Sequence, residues 1–346
     1  MDTMMAMVLE QLTDLGQSRT PLRQVTLPIP EPGEGEVQIK ITVCGVCHTE
    51  LDEIEGRLPP AFLPIILGHQ VVGKISKKGK GAEKFRAGER VGVAWIYSAC
   101  GKCRFCLEGN ENLCEDFKAT GRDANGGYAE YMIVSQDFVY SIPEYFSDAE
   151  AAPMLCAGAI GYRCIRLSGL KNGENLGLTG FGASAHLVLK LVKYQFPNTR
   201  IFVFSRSENE RKFALELGAS WAGDFSETAP EKLHRIIDTT PAWKPVVEAL
   251  ANLEKGGRLI INAVRKEEGD KKALLDLNYT EHLWLEKEIK SVANVSSKDV
   301  REFLEVAAGA GIKPEFKEYP LELANEALLE LKEHKIKGAK VLRISE

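Results

Sequence analysis

Two sets of cysteines and histidines could do chemistry in this chain. In the first, C-G-V-C-H-T-E at 44–50 and G-H-Q at 68–70 offer a thiol, Cys47, and an imidazole, His69, from one N-terminal region. A third donor, Cys156, stands far away in A-P-M-L-C-A-G. Two thiolates and an imidazole fill three positions of a tetrahedral zinc, and the open fourth is what a catalytic rather than a structural ion needs. Any one of the three alone reads as an ordinary buried thiol or core histidine. In the second set, Cys100, Cys103, Cys106 and Cys114 are spaced C-x2-C-x2-C-x7-C. Four thiolates so close in sequence can close on one structural zinc with no open position; an iron–sulfur cluster is the alternative for such a set. The lobe 98–116 is too short to build a core of its own.

A third pattern is G-F-G-A-S-A at 180–185, a G-x-G-x-x-A loop with Gly180, Gly182 and Ala185 at its fixed points. Gly180 makes the tight turn. Gly182, followed by Ala183, lets the backbone approach a pyrophosphate at a helix N-terminus. An acidic residue about 20 positions on would bind the ribose 2′-OH of NAD. At that place stands Ser205, followed by Arg206. A hydroxyl and a guanidinium suit a 2′-phosphate, so NADP(H) is favoured over NAD(H), with Arg211 as a second phosphate contact.

These groups need elements to position them. V-Q-I-K-I-T-V at 37–43 alternates apolar and polar and predicts a half-buried strand that delivers Cys44 and Cys47. T-E-L-D-E-I-E-G predicts a turn or two of helix ending at Gly56. Segments 68–75 and 90–96 read as further strands, and many short strands with Gly-rich turns predict a barrel-like β domain in the first ~150 residues. From about 157 the texture alternates. Strands are expected at 174–179, 201–205, 235–240, 258–264 and 289–295. Helices are expected at 186–193, after the capping-box pattern S-E-N-E at 207–210, and at 245–257 and 299–308. This is the pattern of a doubly wound parallel sheet. An amphipathic helix at 321–332 and a strand at 339–344 close the chain.

The chain has 346 residues, 44% hydrophobic and 27% charged, as in a soluble globular protein of about two domains. Forty-four basic against forty-nine acidic residues argue against a nucleic-acid partner. No apolar run approaches a membrane span, and the N-terminus lacks a basic leader, so a cytoplasmic location is expected. Eight cysteines in such a setting read as ligands rather than bridges. The Lys/Glu-rich surface hints at a heat-adapted source.

With G-G-Y-A-E-Y at 126–131 and L-C-A-G added to these motifs, the sequence resembles the zinc-dependent alcohol dehydrogenases of the medium-chain dehydrogenase/reductase superfamily along nearly its whole length. The resemblance implies a GroES-like catalytic domain from both chain ends, 1–157 and 297–346, with a Rossmann domain, 158–296, inserted between. It implies two zincs per chain, one catalytic on Cys47, His69 and Cys156 and one structural on the four-cysteine lobe. It implies reversible oxidation of a primary alcohol to an aldehyde, with Thr49 taking the alcohol proton and His48 contacting the cofactor phosphate. Leu58 and Trp95 fall where the family lines its substrate pocket and suggest an apolar substrate. A homodimer or homotetramer is expected.

Three departures stand out. Gln70 replaces the Glu that often follows the ligand His, Asp52 replaces the His that often completes the proton relay, and Ser297 with Lys298 replaces a pyrophosphate-binding Arg. Cys44 and Cys164 carry no assigned role. A polyol, sugar or aryl-alcohol dehydrogenase on the same scaffold is the alternative enzyme, and a zinc- and nucleotide-binding sensor without turnover is the alternative from another class.

Overall fold

The computed structural model describes residues 2–333 and 338–345. The chain divides into two compact units, Met1–Ala159 with Val295–Glu346, and Ile160–Asn294.

The first unit is built around the strand Glu36–Val46. Along one edge it pairs antiparallel with Val71–Lys78. Along the other, its first half meets Tyr131–Ser135 and its second half meets Ala339–Arg343 near the C-terminus. Arg90–Val93, Val139–Ser141 and Phe316–Pro320 extend this sheet, and Leu22–Pro28, Thr3–Leu9 and Ile65–Ile66 form a separate three-stranded sheet. The alternation of residues 37–43 predicts a half-buried strand, yet nearly all of it is buried, because neighbours cover both edges and both faces. Lys40 alone is exposed; the buried polar side chains, Gln38 and Thr42, turn to the backbone instead of to water. Gln38 Nε2 donates to the Pro30 carbonyl at 2.6 Å and the Thr42 hydroxyl donates to the Val72 carbonyl at 3.0 Å. Ile39, Ile41, Val71, Val91, Tyr128 and Leu342 belong to one core cluster, each aliphatic member contributing about 2 kcal/mol by leaving water. This central strand ends at Val46, directly before Cys47.

The C-terminal segment is tied in by a charge. The Lys340 ammonium is buried and donates to Tyr319 Oη and to Glu330 Oε2, both at 2.6 Å. It thereby joins two strands to the helix Ala324–Lys332.

The second unit is a six-stranded parallel sheet. Its order is Trp221–Gly223, Ile201–Phe204, Leu176–Thr179, Leu233–Asp238, Leu253–Ile261, Glu288–Ser291. Numbered along the chain this is 3-2-1-4-5-6, the dinucleotide-binding order, with the switch point beside Leu176–Thr179. The expected helix over 245–257 is shorter. It runs Lys244–Asn252, and Leu253 already opens the next strand, because the Leu233–Leu253 pairing claims residues that local propensity leaves helical. Among the described residues no helix is long and apolar enough to cross a membrane.

Hydrogen bonding to the Lys340 ammonium, with the Tyr319 hydroxyl adding, depresses the Glu330 carboxyl to about 2. Its folded value lies below the unfolded one of about 4.3, so its contribution is present above that pH and is lost as pH falls toward 2. Glu330→Gln is therefore expected to cost about 1–3 kcal/mol of unfolding free energy at pH 7. The gap to the parent protein should close between about pH 4 and pH 2, as read by denaturant titration at each pH.

Candidate functional site

Cys47 is the N-cap of the short helix His48–Ile54, in extended conformation directly after the central strand. The third residue of that helix, Glu50, folds its side chain back over the N-terminus. Its Oε2 accepts the Cys47 backbone N–H at 2.7 Å, and its Oε1 lies 2.6 Å from His69 Nδ1. Glu50 and His69 are both fully buried. One carboxylate thus fixes the backbone of one candidate ligand and the ring of another. With Nδ1 facing Glu50, His69 turns Nε2 toward Cys156 Sγ at 3.3 Å. His69 follows Gly68, whose φ of +95° suits glycine, and a Cβ there would collide with the Tyr128 ring at 2.4 Å. Cys156 lies on a single π-helical turn, Met154–Gly158, between the helices Asp148–Pro153 and Ala159–Ser168. Such turns are frequent at functional sites.

The donor atoms of Cys47, His69 and Cys156 all lie within 4.8 Å of one another. A tetrahedral zinc with bonds of about 2.3 Å to sulfur and 2.05 Å to nitrogen puts S and N about 3.6 Å apart. The set fits such an ion. Of the three, the Cys47 sulfur is the one disposed to be a thiolate before any ion binds, while the Cys47 sulfur and burial push the Cys156 thiol up. The Cys47 thiol is held well below its usual range, chiefly by hydrogen bonding with Cys156 and then with His69. Burial would push the imidazole down, but the Glu50 carboxylate and the Cys47 sulfur more than offset it, and His69 stands well above its ordinary value. The Thr49 hydroxyl lies 3.6 Å from Cys47 Sγ and is buried.

The donors of the four-cysteine lobe are equally close together. Cys103 and Cys106 sulfurs stand 3.6 Å apart and those of Cys100 and Cys106 3.9 Å, with all four donors, Cys114 included, within 4.8 Å. A regular tetrahedron of four Zn–S bonds has edges of about 3.8 Å. None of these cysteines is in a disulfide. Backbone N–H groups of Cys103 and Cys100 donate to the sulfurs of Cys100 and Cys114, which favours thiolate.

The other singled-out residues scatter in role. Trp95 is buried and sits edge-on to His69, ring centroids 4.9 Å apart. Leu58 is half-buried on the turn after the helix, its N–H donating to the Asp52 carbonyl. His48 is exposed on the helix's first turn. Asp52 Oδ1 accepts from Arg57 Nε at 2.7 Å. Gln70 packs on the Gly45 backbone, where a Cβ would meet it at 2.8 Å. The anionic partner that Gln70 cannot supply comes from Glu50. Ser297 is buried and accepts from Tyr140 Oη at 3.1 Å, and Lys298 pairs with Glu302. Cys44 and Cys164 are buried, and burial pushes the Cys44 thiol well up.

Glu50 is the functional residue that sequence reasoning passed over. Its signal was present: C-H-T-E is a capping box with cysteine in the place of serine.

In the second unit, Gly180 has φ +80°, and its N–H donates to the Phe204 carbonyl at 2.8 Å. Gly182 caps the helix Ala183–Gln195, and nothing of the protein lies within 4 Å of where its Cβ would sit. The backbone over this helix N-terminus is open to a phosphate group, so the loop fits a dinucleotide. Ala185 is buried against the sheet. Ser205, Arg206 and Arg211 lie one strand over. Ser205 is buried and Arg206 exposed. The Arg211 guanidinium donates to the carbonyls of Ser205 and Arg206 at 2.7 and 3.1 Å, so it is engaged with backbone. The expected capping box at 207–210 is half present. Ser207 Oγ accepts from Glu210 N, but the Glu210 carboxylate accepts from the Ser205 hydroxyl.

The profile of the alcohol dehydrogenase GroES-like domain matches residues 33–144. A probable alcohol dehydrogenase of Mycobacterium tuberculosis is 40% identical over 94% of this chain and 93% of its own length. An alcohol dehydrogenase of Geobacillus stearothermophilus is 33% identical over 92% of this chain and 94% of its own. Among solved structures, a cinnamyl alcohol dehydrogenase of Sorghum bicolor superposes with a TM-score of 0.85 at 28% identity, covering 99% of this chain and 98% of that one.

Glu50→Gln keeps the size of the side chain but removes the charge that orients His69. Affinity for zinc at the Cys47, His69 and Cys156 set is expected to fall about 10- to 100-fold, with the four-cysteine lobe unaffected. Chelator competition against the purified protein reads this as one weakened equivalent and one unchanged.

Proposed function

The chain belongs to the zinc-dependent alcohol dehydrogenases of the medium-chain dehydrogenase/reductase superfamily, and on that footing we propose that it interconverts primary alcohols and aldehydes at a catalytic zinc on Cys47, His69 and Cys156. The observation that carries this reading is the convergence of those three donors, two of them fixed by one buried carboxylate. The four-cysteine lobe would hold a second, structural zinc. When bound, the catalytic ion supplies Lewis acidity at the substrate oxygen and a nicotinamide dinucleotide exchanges the hydride.

The chain's own groups do the rest. Glu50 keeps the His69 ring in the tautomer that presents Nε2 to the donor set. The buried Thr49 hydroxyl, beside Cys47, takes the proton of the substrate alcohol and returns it in the reverse direction. Asp52 lies three residues further on the same helix, hence on a neighbouring face. It stands in the position of the missing histidine, with Arg57 holding one oxygen, and is the next group to carry the proton outward. Trp95 walls the site beside His69 and keeps water from it. At the glycine loop, Gly180, Gly182 and Ala183 would cradle the pyrophosphate. Arg206 supports a 2′-phosphate and hence NADP(H), whereas the neighbouring Glu210 opposes one. The family's assembly, a homodimer or homotetramer, is carried over to this chain.

An aryl alcohol is the second reading of the substrate. The flat indole of Trp95 at the donor set favours it, as does likeness to the sorghum cinnamyl alcohol dehydrogenase.

Two measurements test the assignment. Cys47→Ala should retain its circular dichroism and lose alcohol oxidation by at least about 10²-fold; ordinary turnover by that variant would contradict it. Initial rates with ethanol, benzyl alcohol and sorbitol should favour the first two, and a clear preference for sorbitol would overturn the apolar pocket.

A further inference from the structure

At the end of the strand Ile201–Phe204, where a dinucleotide fold places the group that reads the adenosine ribose, the sequence offers Ser205 and no acid. The acid is nevertheless there in space. Glu210, on the first turn of the following helix Glu208–Glu216, swings back and accepts the Ser205 hydroxyl at Oε2, 2.5 Å away. The Ser205 hydroxyl in turn accepts the Ser207 N–H at 3.1 Å. Its one proton is therefore in use, and it presents the carboxylate rather than a free donor. The position is fixed relative to the glycine loop, because the strands Leu176–Thr179 and Ile201–Phe204 are in parallel register and Gly180 N–H donates to the Phe204 carbonyl.

The basic groups nearby do not form a phosphate clamp. Arg211 is tied to the backbone through Nη1, which donates to the carbonyls of Ser205 and Arg206, and Lys212 is paired with Glu208 across one helical turn. Arg206, directly after Ser205 in the chain, is exposed. On the far side lies Asp224, which follows the strand Trp221–Gly223 and adds negative charge. A carboxylate at this edge accepts a hydrogen bond from a ribose 2′-OH and repels a 2′-phosphate.

Resting on the dinucleotide reading above, we propose that Glu210 is the residue that determines cofactor choice and that it selects NAD(H) over NADP(H). It does the work of the absent acid at 205 from five residues downstream, held in place by Ser205. This reverses the expectation drawn from Ser205 and Arg206 alone.

The test is binding, independent of turnover. The zinc-loaded full-length protein and its Glu210→Gln and Glu210→Lys variants are titrated with NADH and with NADPH, following nicotinamide fluorescence. Competition by 5′-AMP and by 2′,5′-ADP locates the effect at the ribose. The parent protein is expected to bind NADH at least about tenfold tighter than NADPH, a difference of about 1.4 kcal/mol. Glu210→Gln should narrow that ratio and Glu210→Lys should invert it, with 2′,5′-ADP gaining over 5′-AMP in step. Equal or tighter binding of NADPH by the parent protein, or a ratio unmoved in both variants, overturns the proposal and leaves the dinucleotide reading standing. Binding of neither dinucleotide by any of the three proteins overturns both.

Discussion

The site depends on one carboxylate. Among the described residues no Lys or Arg is in hydrogen-bonding contact with the buried Glu50; its partners are the Cys47 N–H and the His69 ring. An ionised carboxylate in such a place is costly unless hydrogen-bonded and balanced by positive charge. Burial accordingly pushes the Glu50 carboxyl up, with His69 working against that rise. A cation held by Cys47, His69 and Cys156 would complete the balance. A second acid, Glu53, lies buried on the same helix and is pushed well up by burial and by Glu50. Two buried carboxyls thus stand on the helix that starts at Cys47, each disfavoured as the anion without a compensating positive charge, and a divalent ion held by the donor set is the electrostatic complement.

The fold serves that arrangement. The central strand is clamped by three others and delivers Cys47 at its end, while Gly68 allows the chain to pass against Tyr128 and present His69. Cys156 comes through a π-helical turn, a local departure from regular helix. The second unit supplies an independent device, the 3-2-1-4-5-6 sheet with its open glycine loop.

Much of this was legible in the sequence because it is local. The spacing of Cys100, Cys103, Cys106 and Cys114, the strand–glycine–helix pattern at 176–195 and the amphipathic helices are read from neighbours in the chain. What was hidden depends on side chains that turn back on themselves. Glu50 reads as a solvated helix acid until its two partners are seen. Glu210 reads as half of a capping box, but its carboxylate leaves Ser207 for Ser205. The burial of both faces of residues 37–43 and the early end of the helix at Asn252 are likewise set by pairing partners distant in sequence, which override local propensity.

The most direct test of the account is X-ray absorption at the zinc edge of the purified protein, with metal content measured on the same sample. Two zincs per chain are predicted, one coordinated by four sulfurs and the other by two sulfurs, one imidazole nitrogen and one light atom, the mixed shell disappearing in Cys156→Ala. A single zinc per chain with an all-sulfur shell, unchanged by that substitution, would contradict it.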